Sequence, residues 1–137
     1  MATPLQGISS MATRQVLAEL VAAYAQQSAD PVHIESVGGV DAAKRVQAGE
    51  AFDVVILASD AIDKLAASGH VREGSKVDLV HSGVAVAVRE GAPEPDLASE
   101  DAVRRAVLAA RSLSYSTGPS GVALARLFER WGIAHEI

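Results

Sequence analysis

FDVVILASDAIDKLAASG, residues Phe52 to Gly69, is the stretch that decides the fold class. Phe52 to Ala58 is almost wholly apolar, the pattern of a strand buried on both faces of a parallel sheet. Ser59-Asp60 then offers an N-cap, the spacing predicts a helix over Ala61 to Ser68, and Gly69 stops it. A buried strand passing directly into a capped helix is half of a strand–helix–strand unit, so the neighbouring sequence decides whether such units repeat.

On the amino-terminal side they do. Val32 to Val37 (VHIESV) alternates apolar and polar residues, Gly38-Gly39 turns into a predicted helix over Asp41 to Ala48, and Gly49 ends it. Earlier still, Leu5 to Ile8 is a short apolar strand, and Ser9-Ser10 reads as the serine-capped start of a long helix. That helix carries Met11, Val16, Leu17, Leu20, Val21 and Tyr24 at helical spacing. Asp30-Pro31 closes the region, because a residue before proline is pushed out of the helical basin.

On the carboxyl side, Val77 to Val88 (VDLVHSGVAVAV) reads as a long strand with Gly83 in its middle, and Glu90 to Ala98, with two prolines and a glycine, reads as a linker. Beyond it come a helix capped by Ser99 with Val103, Val107 and Leu108 inward, a strand around Leu113 to Ser116, the turn Thr117-Gly118-Pro119-Ser120-Gly121, and a helix from Val122 to Trp131. Strands and helices in alternation through short connections predict an α/β fold with a mainly parallel sheet flanked by helices.

Composition narrows the function classes. The chain has 137 residues, with 12 basic against 17 acidic side chains and a net charge of −5. It therefore lacks the basic excess that phosphate-backbone recognition needs, and a nucleic-acid partner is not expected. The absence of cysteine removes thiol catalysis and Cys-ligated zinc. The four histidines, His33, His70, His81 and His135, have no metal-ligand spacing, so neither a metal nor a cofactor is expected. No apolar run approaches the roughly 20 residues of a membrane span, and Met1 to Ser10 lacks the pattern of a secretory leader. As written the chain is expected to be cytoplasmic, or periplasmic if a leader has been removed.

The recurring chemical feature is a small polar turn between a strand end and a helix start: Ser9-Ser10, Gly38-Gly39-Val40-Asp41 and Thr117 to Gly121. In open α/β sheets ligands bind beyond the carboxyl ends of the strands, where such turns lie, and each helix start offers free N–H groups to an anion. The same residues are also what capping demands in any protein. Thr117 to Gly121 lacks the Lys-Ser/Thr of a phosphate loop, and Gly38-Gly39 is not a dinucleotide fingerprint. Asp53 and Asp60 read as caps or turn formers. Tyr115, at a strand end, either faces a ligand or packs under the next helix.

The order of these motifs, from Ile8 to about Ile133, resembles the periplasmic molybdate-binding proteins of ABC transporters and the wider group of type 2 solute-binding proteins. Ala43 to Asp60 (AKRVQAGEAFDVVILASD) matches best. Asp78 to Val88 resembles the strand leading toward that family's second lobe, and Ser116 to Leu127 its Pro-Ala-Gly helix start. The resemblance implies two α/β lobes, 1–82 and 83–137, the second incomplete, with a small anion held in the cleft between them and an ABC permease as a partner. It implies ligand contacts at Ser10 or Ser9 and at Pro119-Ser120-Gly121 beside Thr117. Where the family places a serine, this chain has Gly38-Gly39-Val40, which leaves only main-chain N–H groups and departs from the molybdate pattern.

Family chains return from the second lobe to complete the first, so the chain is expected to stop short of that return and to offer a sheet edge for homodimerisation. The alternative to a binding protein is an aconitate-isomerase-like enzyme on the same scaffold, acting on a small polycarboxylate. Its base would come from Asp41, Tyr115 or His81, with Arg14, Lys44 and Arg45 near the helix starts as carboxylate partners. Neither reading assigns a catalytic residue.

Overall fold

The computed structural model describes residues 3–137. The chain divides into two compact units, Met1–Ser82 and Gly83–Ile137.

In the first unit three strand–helix repeats follow one another: β1 (Leu5–Ser10), a single 3-10 turn (Met11–Thr13) running into α1 (Arg14–Ala25), β2 (Val32–Val37), α2 (Gly39–Gln47), β3 (Val54–Ile56) and α3 (Ser59–Ala67). The strands form one parallel sheet in the order β2-β1-β3, as the alternation of strand and helix predicts. β1 is central, with Gly7, Ile8 and Ser9 buried. A Cβ on Gly7 would lie 3.1 Å from Ile34 Cγ1, so a larger residue would crowd β2. Ile8 anchors the core on one face with Ala42 and Val46 of α2 and Leu65 of α3, and Val37, Phe52, Val55, Leu57 and Val71 close around them.

Four readings of the first unit change. The 52–58 strand shortens to Val54–Ile56 and lies at a sheet edge, with Val54 45% exposed, because β1 is its sole strand partner among the described residues. Asp53 tethers its entry: its carboxylate accepts from the Gln6 N–H at 2.8 Å, and its own N–H donates to the Gln6 carbonyl at 2.7 Å. In α1 only Leu17 is buried, while Leu20 and Tyr24 stay exposed. Val77–Val88 forms no strand, and Val77, Val84 and Val86 are exposed. Alternation supplies a strand's side chains but not the neighbour its N–H and C=O groups require. Finally, α2 and α3 each begin two residues earlier than their spacing suggests, at Gly39 and Ser59.

The second unit holds α4 (Glu100–Ala109) and α5 (Pro119–Trp131), with Ala102, Phe128 and Ile133 buried. Ser99 caps α4 as expected, its Oγ accepting from Ala102 N–H at 3.1 Å. Of the inward positions, Val103 and Val107 are half-buried and Leu108 is exposed. Leu113–Ser116 forms no strand, for the same want of a neighbour among the described residues. α5 starts at Pro119 rather than Val122, since proline suits a first helical turn, and ends at Gly132 in the left-handed conformation, φ 72. Glu100 ties the helices together: its Oε1 accepts from Trp131 Nε1 at 2.7 Å and Arg130 Nη2 at 2.8 Å, and those bonds hold its carboxyl below the usual carboxylate range.

Arg45 makes the densest polar contact of the first unit. Its guanidinium reaches Glu35 of β2 at 2.8 and 3.1 Å and Glu50 beyond α2 at 2.6 and 2.7 Å, and lies 5.5 Å from the Phe52 ring centre. Its hydrogen bonds lower the pKa of both Glu35 and Glu50. A carboxyl group made more acidic by folding stabilises the fold above its unfolded pKa, and that contribution disappears as pH falls through the folded value. Arg45→Met is therefore expected to lower the melting temperature at about pH 7, with the gap to the parent closing as pH falls below the ordinary glutamate range of about 4.3. Thermal melts across that range check it.

Candidate functional site

The parallel register decides what meets at the carboxyl edge of the sheet. Ser9 pairs with Ser36 on one side and Ile56 on the other, and Ser10 pairs with Val37. All three strands therefore end together, and the 3-10 turn, α2 and α3 start from the same edge. Ser9, Ser10, Gly38, Gly39 and Val40, separated in sequence, are thus neighbours in this unit.

None of these three helix starts has a side-chain cap. Ser10 precedes the 3-10 turn and Thr13 precedes α1, but neither hydroxyl caps, contrary to the serine-capped reading. Gly38 precedes α2 and has no side chain to offer. Ala58 occupies the cap position of α3, so Ser59, taken as a cap, is its first helical residue. The earliest intrahelical bonds of α2 and α3 are Ala42 N–H to Gly38 and Ile62 N–H to Ala58, at 2.9 and 3.1 Å. The amides ahead of them, including those of Gly39 and Val40, have no intrahelical acceptor. α4, capped by Ser99, shows the contrast.

The two serines of β1 differ. Ser9 is wholly buried, its Oγ bonded to Ser36 Oγ at 2.7 Å and to the Ser10 carbonyl at 3.0 Å, so it is not a surface donor. Ser10 is half-exposed. Sequence reasoning passed over Ser36, which looked like one polar position of an alternating strand. It also passed over Lys76, whose ammonium donates to Ser59 Oγ at 2.6 Å and Asp63 Oδ1 at 2.8 Å and so brings a cation to the start of α3. Only the register and the fold-back of the chain reveal them.

Asp41 lies in the first turn of α2, its Oδ2 3.4 Å from where a Gly38 Cβ would stand. Arg14 begins α1 and is exposed, as is Lys44 on α2, whereas Arg45 is committed to Glu35 and Glu50. His81 sits in the irregular 77–88 segment. Among the described residues no cluster of three His, Asp or Glu side chains could hold a metal ion, and no helix is long and apolar enough to cross a membrane.

Thr117, Ser120 and Gly121 belong to the second unit. Gly118 precedes α5, Thr117 is exposed, and Ser120 Oγ bonds Ser116 Oγ at 2.8 Å. Gly121 is buried under the Ser116 carbonyl. Tyr115 packs edge-on against Phe128, with ring centres 6.0 Å apart and planes at 71°.

A family model described as bacterial extracellular solute-binding protein matches residues 5–137. The chain belongs to that family. The match supports the solute-binding reading at family level, and molybdate specificity does not follow from it. Over 130 residues the chain is 38% identical to a protein of Pseudomonas sp named aconitate isomerase, covering 91% of this chain and 50% of that protein. This solute-binding domain thus spans about half the length of the curated relative it matches. No solved structure matches it.

A Cβ at Gly121 would overlap the Ser116 carbonyl oxygen, and the backbone would have to move to relieve it. Gly121→Ala is expected to destabilise the second unit by about 1–3 kcal/mol, the usual range for overpacking. Urea titration followed by Trp131 fluorescence measures it, and Gly118→Ala, whose Cβ would find 3.8 Å of room, should cost less.

Proposed function

We propose that this solute-binding domain holds a small carboxylate anion at the carboxyl edge of its first unit. The observation that carries this reading is the meeting of three helix starts without side-chain caps at one sheet edge, beside the half-exposed Ser10. Each such start favours an anion by about 0.3–1 kcal/mol, and a water-excluding ligand raises the value of each N–H donor. Gly38 and Gly39 let a ligand approach the main chain closely but add no hydroxyl, which favours a planar carboxylate over a tetrahedral oxyanion that needs donors on every side. Lys76 adds a formal charge at the α3 start, held there by the exposed Asp63, a pair weak enough to exchange for a ligand carboxylate.

The relative named aconitate isomerase supports a second reading, in which the whole protein isomerises a polycarboxylate of that type. Moving a proton between carbons needs a base within hydrogen-bond reach of the substrate. Of Asp41, Tyr115 and His81, Asp41 suits that role best, because it stands at the edge where the anion would sit. In the transport reading the same edge delivers its ligand to an ABC permease.

Thermal-shift titration of the chain with cis-aconitate, trans-aconitate, citrate, sulfate and molybdate tests the proposal. The tricarboxylates are expected to raise the melting temperature, with stabilisation of about 2.7 kcal/mol at a hundredfold excess over Kd. Ser10→Ala should weaken binding about tenfold. A response to none of the anions overturns the reading, and molybdate alone would return the site to oxyanions. Absorbance assay of the full-length protein on cis-aconitate separates enzyme from carrier, and Asp41→Asn should abolish turnover while leaving the thermal shift in place.

A further inference from the structure

β1 and β2 are joined at their carboxyl ends by side chains as well as main chain. Ser9 Oγ, enclosed by protein, lies 3.0 Å from the Ser10 carbonyl oxygen and 2.7 Å from Ser36 Oγ. A carbonyl can only accept, so the one proton of the Ser9 hydroxyl goes to Ser10, and the proton between the two hydroxyls belongs to Ser36. Buried Thr13 donates to the same carbonyl at 3.4 Å. The outcome is a directed chain, Ser36 to Ser9 to the Ser10 carbonyl, with Thr13 converging on its end.

That chain holds the peptide plane between Ser10 and Met11. In a trans peptide the C=O and the following N–H point in opposite directions. Two buried hydroxyls hold the Ser10 carbonyl, so the Met11 N–H is held pointing the opposite way where the 3-10 turn begins. We infer that Ser9 and Ser36 are positioning residues, which aim the Met11 amide and fix the Ser10 backbone toward a bound anion without touching it. Ser36 acts through Ser9: its donated proton leaves Ser9 only one direction in which to send its own. The ligand in this inference rests on the anion reading above, whereas the orientation of the turn rests on the hydroxyl geometry alone.

Amide hydrogen exchange and anion titration on the same variants test it. The Arg14 N–H closes the 3-10 turn onto the Met11 carbonyl and so reports loosening of the turn, while the Leu65 amide reports the α3 core. Ser9→Ala and Ser36→Ala are each expected to speed Arg14 exchange about tenfold, the loss of one hydrogen bond, with Leu65 unchanged and Ser36→Thr restoring the parent rate. Each should also weaken cis-aconitate binding several-fold, and the double variant should be no weaker than the worse single one, because both act along one chain. Unchanged Arg14 exchange, equal acceleration at Leu65, or strictly additive losses of affinity would each overturn the assignment. If the parent responds to no anion while Arg14 exchange behaves as expected, the anion reading fails and the positioning of the turn stands.

Discussion

Parallel pairing of β1 with both β2 and β3 is the constraint from which the rest of the first unit follows. Parallel strands require a crossover between them, so each strand leads into a helix and every helix starts from the same sheet edge. The register then fixes which residues meet: Ser9 lies between Ser36 and Ile56, so one position of β1 aligns three chain reversals. Ile8, its neighbour on the opposite face, is the buried residue on which α2 and α3 pack. A single step of register would exchange these roles, burying a serine among Ala42, Val46 and Leu65 and placing an isoleucine beneath the turn. The apolar core and the polar edge are two faces of one register.

Charge in this unit is divided in a way that net charge hides. Arg45 spends four of its five guanidinium N–H groups on Glu35 and Glu50, so this cation clamps α2 to β2 rather than serving the sheet edge. At the carboxyl edge the donors are instead main-chain N–H groups and one lysine, set beside Asp41 and Asp60 in the first turns of α2 and α3. A net charge of −5 therefore excludes neither an anionic ligand nor a local donor site, since donors within a few ångströms outweigh distant charges screened by salt.

The alternating and apolar segments made the strand–helix order legible in the sequence, and Val32–Val37 stands where its pattern put it. What misled was the inference from pattern to partner. Val77–Val88 and Leu113–Ser116 have strand-like side chains, but a strand is a relation between two backbones and neither segment finds one among the described residues. Capping failed for a related reason. A serine before a helix can cap only if its hydroxyl turns toward the helix, and at Ser9 a cross-strand partner claimed it first. Ser36 carried no signal of its own, because one serine in an alternating strand gains meaning only when the register sets it opposite Ser9.

Binding and isomerisation make nearly the same demands on such an edge, which is why one scaffold accommodates both readings. Each needs donors that are already oriented when the anion arrives, since donors that must reorganise return part of the interaction energy as ordering cost. The buried hydroxyl chain satisfies that demand at the Ser10–Met11 peptide, and the uncapped amides of α2 satisfy it at Gly39 and Val40. An isomerase needs one thing more, a proton acceptor held beside the anion rather than neutralised by it. Asp41 meets the placement, in the first turn of α2 at the edge where the anion would sit. Catalysis here would depend on the substrate displacing water from Asp41, a step that a carrier has no need to take.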